Sequence, residues 1–422
     1  MEQSKFEVLV GIDWALSSHQ VCVIDAWGKL LRECTIEHSA TELHKLADWL
    51  IKQAGGVAER IGVAIEVPHG VIVETLLERG LVVLSINPKQ LDRFRDRFTV
   101  AGAKDDRRDA RVLADSLRTD RRAFERIELA EAEIITLRED SRLHDELQAQ
   151  CVQVGNRLRD QLLRYYPQLL AVGEVDEAWV WELWKMAPTP ARAQRLRAER
   201  VQALLKRHRI RRISAEQVLE KLQVRAFSVA PGVSEAAMGH IEVLLEQLRL
   251  LHRQLQQCDR RLEQAMAGLS KPQQHHEEHG PPREHSDAEI LLSLPGVRNL
   301  VGAAMLTEAG RPLKQCERSM LRARCGIAPV TKRSGKMLLV HMRYACNERL
   351  RQACHYWANS AVQHDARAAA HYHRLRASGC NHARALRGVA DRLLDVLIAM
   401  LRDRTLYDPT RYGAGKQAKQ AA

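Results

Sequence analysis

Aromatic residues make up only 5% of the 422-residue chain, too few for base stacking to be its main means of holding single-stranded nucleic acid. Nine cysteines are present, with no Cys-x-x-Cys pair and no regular spacing. That pattern lacks the signature of a zinc site or a disulfide framework. Cys151, Cys258 and Cys354 stand in apolar helical contexts, as buried thiols do in a reducing cytosol. No apolar run is as long as a membrane span, so no membrane partner is expected. The opening "MEQSKFEVLVGIDWA" carries acids and turns directly into strand character, unlike a secretory signal. A cytoplasmic location is the expectation.

What the chain does contain is a folded composition, 45% hydrophobic and 28% charged. Its length suffices for two or three domains with cores of their own. The net charge of +12 points to a polyanionic partner.

Residues 6–90 alternate in type. "FEVLVGIDW" and "HQVCVIDA" are β-rich stretches parted by a short polar turn, and "KLLRECTIE" follows a second hairpin signal. "ATELHKLADWLIKQAGG" has helical spacing at Leu43, Leu46 and Leu50 and a glycine stop. "RIGVAIE" reads as a strand, "GVIVETLLERG" as a helix and "LVVLSINP" as a last strand ended by Pro88. Three hairpin-linked strands followed by two helix–strand units is the order of a ribonuclease-H-like α/β domain. A doubly wound sheet is the alternative, but residues 14–40 leave no room for its crossover helices.

Residues 125–270 read as almost wholly helical. Ile241, Leu244, Leu248, Leu251, Leu255, Cys258, Leu262, Ala265 and Leu269 recur at alternating steps of three and four, the seam of a coiled coil. A looser repeat runs through Leu143, Leu147, Cys151, Val154, Leu158 and Leu162. Such seams need a partner helix, from the same chain or from a second subunit. Between them, residues 191–214 are densely basic on a helical background, which suits contact with a nucleic-acid backbone. Residues 270–287 have linker composition, a second, helical unit is expected from about 288 to 408, and the tail reads as disordered.

Acids at particular places stand out against the basic background. Asp13 ends the first strand and Glu66 the fourth; in the expected sheet those strands can be neighbours. In "AGAKDDRRDARVLADSLR", Asp106 and Asp109 are three residues apart on a helix beginning near residue 104, so they share a face. Four carboxylates brought together repel one another unless a cation compensates. Oxygen-only ligands suit Mg²⁺ or Mn²⁺, and a pair of such ions could activate an attacking oxygen at a phosphodiester. Register alone does not choose between Asp105 and Asp106. Farther on, "TKRSGK" sets Ser334 among Lys332, Arg333 and Lys336, with Gly335 permitting close backbone approach. On residues alone, this reads first as a loop serine beside basic residues that bind phosphate without chemistry.

These motifs resemble the DEDD transposases of the insertion-sequence 110/1111 group. "GIDWA", "IEVPHG" and "KDDRRDA" carry the likeness between about residues 8 and 117. "LLSLPGVRNLVGAAMLTEAG", "CGIAPVTKRSGK" and "MRYACNERLRQACHYWA" carry it again from about 290 to 409. The family pattern Lys-x-Asp-x-x-Asp-Ala falls on Asp106 and Asp109. The resemblance implies a RuvC-like catalytic domain over residues 1–124, a helical coiled-coil arm over 125–270, a linker over 271–287, a mainly α-helical transposase domain over 288–409 and a free tail over 410–422. It implies metal held by Asp13, Glu66, Asp106 and Asp109, a nucleophilic Ser334, and nucleic acid gripped by Lys332, Arg333, Lys336, Arg343, Arg107 and Arg108. It also implies recombination of DNA, both element ends and target, under a non-coding bridge RNA, by a homo-oligomer of two or four chains in a prokaryotic nucleoid. Two positions depart from the pattern. Cys346 precedes Asn347 where many relatives have glycine, and Arg298 replaces a second glycine in "LPGVRNLVG", which resembles a helix–hairpin–helix turn. Two readings compete: a metal-dependent, junction-resolving nuclease that does not use Ser334, and a non-catalytic nucleic-acid-binding scaffold.

Overall fold

In the structure, a computed structural model, the described residues are 6–97, 105–128, 130–271, 285–335 and 337–410. Most of the expected linker and tail lies outside them. The chain divides into two units, Met1–Glu131 and Ala132–Ala422.

The first unit is organised by β1 (Val8–Asp13), an apolar run buried on both faces, as a central strand must be. Around it lie β2 (Ser18–Asp25), β3 (Leu30–Glu37), α1 (Ala40–Gln53), β4 (Ile61–Ile65), α2 (Val71–Glu78), β5 (Val82–Ser85), α3 (Pro88–Arg95), α4 (Asp106–Thr119) and β6 (Glu125–Arg126). The sheet runs β3-β2-β1-β4-β5-β6. β1 pairs antiparallel with β2 and parallel with β4, and β4 pairs parallel with β5. The expected mixed sheet is present, with Asp13 and Glu66 at the ends of adjacent strands.

Alternation along a strand sorts the two faces. Val8, Val10 and Ile12 join Ile61, Val63 and Ile65 in the core shared with Leu43, Leu46 and Leu50 of α1. Leu9 and Ala64 join the other core, with Ala110, Leu113, Ala114 and Leu117 of α4. Gly11 and Asp13 therefore lie on the α4 side, and continuing the alternation of β4 puts Glu66 there too. Gly11 is what lets the helix come so close: a Cβ there would stand 1.9 Å from the Ala110 carbonyl oxygen and 2.6 Å from the Ala114 nitrogen.

In the second unit the principal elements are α5 (Ala132–Tyr165), α6 (Ala178–Met186), α7 (Pro190–Ala193), α8 (Ala198–Arg207), α9 (Ala215–Leu222) and α10 (Val233–Ser270). They are followed by α11 (Asp287–Ser293), α12 (Asn299–Glu308), α13 (Arg311–Lys314) and α14 (Arg318–Arg324). Then come β7 (Val330–Ser334), β8 (Met337–His341), α15 (Glu348–His364), α16 (Ala366–Ala377) and α17 (His382–Asp403). The two long helices, α5 and α10, share one apolar core, in which Leu147, Cys151, Val154, Leu158 and Leu162 meet Ile241, Leu244, Leu248, Leu251, Cys258 and Leu262. The partner for each seam thus comes from the same chain. At its far end Met266 is buried while Ala265 and Leu269 are only partly covered.

A second core gathers α11 to α17 around Trp357, whose indole nitrogen donates to the Pro295 carbonyl over 3.0 Å. Gly296 has φ +82°, and a Cβ there would meet the Ala361 nitrogen of α15 at 2.6 Å. The glycine of the "LPGV" turn is thus accounted for by packing inside the chain. The hairpin β7–β8 is a departure from the helical expectation for this region.

Candidate functional site

Each acid of the first unit is placed by its own element. Asp13 and Glu66 follow the partnered residues Ile12 and Ile65 of two parallel neighbours. α4 begins with Asp105 as its N-cap, whose carboxylate accepts from the Arg107 backbone N–H over 3.2 Å. Asp105 thus caps the helix, and Asp106 is an exposed residue of its first turn. One turn on, Asp109 is 1% exposed.

The buried Asp109 carboxylate is gripped on both oxygens by Arg95, the last residue of α3: Nε donates to Oδ1 over 2.7 Å and Nη2 to Oδ2 over 2.8 Å. The same Nη2 lies 3.9 Å from Glu66 Oε2, and Nη1 donates to Asp92 Oδ1 over 2.5 Å. Burial pulls the Arg95 pKa down, but the hydrogen bonds and charges of Asp109 and Asp92 outweigh it and leave it raised. Arg95 was not among the residues singled out from sequence. The readable signal was the pair Asn87–Pro88, an N-cap and first-turn proline that begin α3, where the sequence reading saw only the end of a strand.

Asp13, Glu66 and Asp109 thus lie toward the same face of the sheet, Glu66 and Asp109 joined by one guanidinium. Asp106 lies a turn away on the Asp109 face of α4. Among the described residues no three His, Cys, Asp or Glu side chains converge closely enough to hold a metal ion. Between Glu66 and Asp109 stands the Arg95 guanidinium. The donors are nevertheless all oxygens, the set that hard divalent ions take, and a carboxylate as buried as Asp109 demands positive charge beside it. By the chemistry of its donors alone, this set fits such an ion.

On β2, the buried His19 lies 2.9 Å from the exposed His38 through their ring nitrogens. Burial, then the neighbouring His38, lowers the pKa of His19.

Ser334 belongs to the second unit, as the last residue of β7, paired with Met337 across the hairpin. It is exposed, as are Lys332 and Arg333. Alternation puts Lys332 on the Ser334 face and Arg333 on the opposite one; Lys336 lies outside the described residues. Gly335 has φ +54°, a turn conformation that favours glycine. On β8, Met337, Leu338, Leu339 and Val340 are all exposed, so the ribbon presents apolar side chains on both faces. Arg343, expected to bind nucleic acid, donates from Nε to the Ala328 carbonyl over 3.2 Å and so braces the ribbon's root. Arg107 is exposed and Arg108 half-buried.

Sequence reasoning also missed a polar knot at Glu308. Glu308 of α12 is 8% exposed. It accepts from Arg142 of α5 over 3.2 Å, from Arg349 of α15 over 3.1 Å and from the Asn347 amide over 3.0 Å. Arg349 also reaches Ser141 and Asp145 of α5. Burial pushes the Glu308 pKa up, but Asn347, Arg142 and Arg349 more than reverse this and leave it below the ordinary carboxylate value.

A mixed sheet of this order with carboxylates toward its α4 face is consistent with the ribonuclease-H-like DEDD fold. Comparison with known proteins narrows that class. The profile of a DEDD, IS110-type family described as "Transposase" matches residues 10–167, and that of the "Transposase IS116/IS110/IS902 family" matches residues 288–373. The mini-circle putative transposase for IS117 of Streptomyces coelicolor is 34% identical over 97% of this chain and 98% of its own length. The putative transposase y4uE of Sinorhizobium fredii is 49% identical over 49% of this chain and 58% of its own length. An uncharacterized 44.8 kDa protein of insertion element IS116 of Streptomyces clavuligerus is 26% identical over 95% of this chain and 96% of its own length. The chain belongs to the IS110 family of DEDD transposases, enzymes that act on DNA. No helix among its described residues is long and apolar enough to cross a membrane.

Proposed function

We propose that this transposase cuts and exchanges DNA strands through a covalent serine link, with a divalent cation held by Asp13, Glu66, Asp106 and Asp109. The observation that carries the reading is the placement of Asp13 and Glu66 on adjacent strand ends with Asp109 tied to Glu66 through one guanidinium. Mg²⁺ or Mn²⁺ bound there would stabilise charge on the oxygens of the phosphodiester. The chain's own residues do the rest. The Ser334 hydroxyl attacks phosphorus, giving up its proton to a base; an Oγ–P bond forms, a P–O bond of the DNA breaks and the departing sugar oxygen takes up a proton. Because a phosphoester replaces a phosphoester, the exchange needs no ATP. Lys332, on the Ser334 face, with Arg333 and Lys336 close in sequence, neutralises the phosphate, and Arg107 and Arg108 do so beside the carboxylates.

Residues 288–409 act in this reading as the domain bearing the nucleophile, and α5 with α10 as a coiled-coil arm. The exposed arginines of residues 191–212 suit the backbone of a non-coding guide RNA or of DNA. The apolar ribbon in water suits an assembly of more than one chain in the nucleoid.

Denatured reaction mixtures containing DNA with a labelled element end test the scheme. The full-length protein is expected to carry labelled DNA covalently, and Ser334→Ala to lose the adduct entirely. Metal-dependent cleavage that survives in Ser334→Ala without any adduct would favour the nuclease reading. Unchanged transposition in Asp13→Asn would favour the scaffold.

A further inference from the structure

We propose that Arg95 is the resident counter-ion of the carboxylate site, standing where a divalent cation would bind and yielding its place when that ion arrives. The inference rests on the metal-binding reading above and adds a competitor to it. Three observations carry it. The guanidinium occupies both oxygens of Asp109 and, through the same nitrogen that holds Oδ2, approaches Glu66 to 3.9 Å. A fixed positive charge at that distance repels any cation seeking the same oxygens. Next, the side chain can leave. Arg95 is the terminal residue of α3, its side chain is 25% exposed, and its rotatable stem regains rotamer freedom when released. Lastly, it has a second partner on its own helix, Asp92, whose side chain is 64% exposed and needs no burial. Once displaced, the guanidinium keeps a carboxylate within reach and can turn its fork toward a phosphate, the geometry that fork matches best.

A purely structural tie between α3 and α4 would predict something different: loss of stability with no gain in metal affinity. Binding of Mn²⁺ to the full-length chain without nucleic acid, followed by the loss of free-ion electron paramagnetic resonance signal, separates the two. Arg95→Gln is expected to bind Mn²⁺ at least about tenfold more tightly than the unaltered protein, a difference of about 1.4 kcal/mol. Adding Asp109→Asn should abolish that gain. Arg95→Lys keeps the charge but loses the fork; it should also bind more tightly, by a smaller factor, and answers the question should the glutamine variant melt below the assay temperature. Equal or weaker Asp109-dependent binding in the Arg95 variants overturns the inference and leaves the metal site standing. Binding that ignores Asp109→Asn in every background, or no binding at all, overturns the metal site and the inference together.

Discussion

At the scale of single residues, two side chains next to each other in sequence do different work. Asp105 and Asp106 look interchangeable in a run of acids and arginines; helix geometry separates them, because a cap must stand just before the first turn. Gly11 was legible only as part of "GIDWA". Its requirement appears when α4 is laid on β1, for the atoms that exclude a side chain belong to residues about a hundred positions away. Gly11→Ala should therefore cost at least about 3 kcal/mol, measured by urea denaturation of the full-length chain, since a backbone oxygen and nitrogen cannot step aside as a flexible side chain can. An unchanged midpoint would mean that α4 does not sit so close. Arg95 was illegible for a related reason. Its partner Asp109 is fourteen residues on, on a different helix, and no periodicity links them.

Among elements, strands with long apolar stretches were easy to place. β1 and β4 show their burial in their composition, and the ends carrying Asp13 and Glu66 followed from it. The seam of α10 was equally plain, because a repeat of three and four identifies a buried stripe whatever covers it; the looser repeat of α5 included Leu143, which lies exposed. α3 and the hairpin β7–β8 were not. α3 is two turns long and rich in charge, and β8 is an apolar run that lies exposed, the reverse of what hydrophobicity implies. The knot at Glu308 joins three helices and gives an element-scale prediction. A carboxylate whose folded pKa lies below its unfolded one adds stability above the unfolded value, about 4.3; that stability is lost as pH falls through the folded pKa. Glu308→Gln should thus cost about 2 kcal/mol at pH 7, with the gap to the unaltered protein closing in melts below about pH 4. A gap that stays constant with pH would show that charge plays no part in it.

For the molecule as a whole, an alternating first third followed by helices was visible in the sequence. Where the first unit ends was not, because β6 is only two residues long and pairs antiparallel with β5. Both cores of that unit are built from its own residues. The fragment 1–131 is therefore expected to melt as a single cooperative transition, detected by circular dichroism, whereas a fragment stopping at Thr119 should lose the edge strand and melt lower. A fragment 1–131 without a transition would mean that the unit depends on the rest of the chain.

The knot at Glu308 also reaches toward the serine hairpin. Asn347 spends its amide on Glu308 and its carbonyl oxygen on the first turn of α15, and it stands six residues past the end of the ribbon whose other strand bears Ser334. α5 holds the same carboxylate through Arg142. One carboxylate therefore ties that 34-residue helix to the start of α15, the helix into which the chain runs on from the serine hairpin.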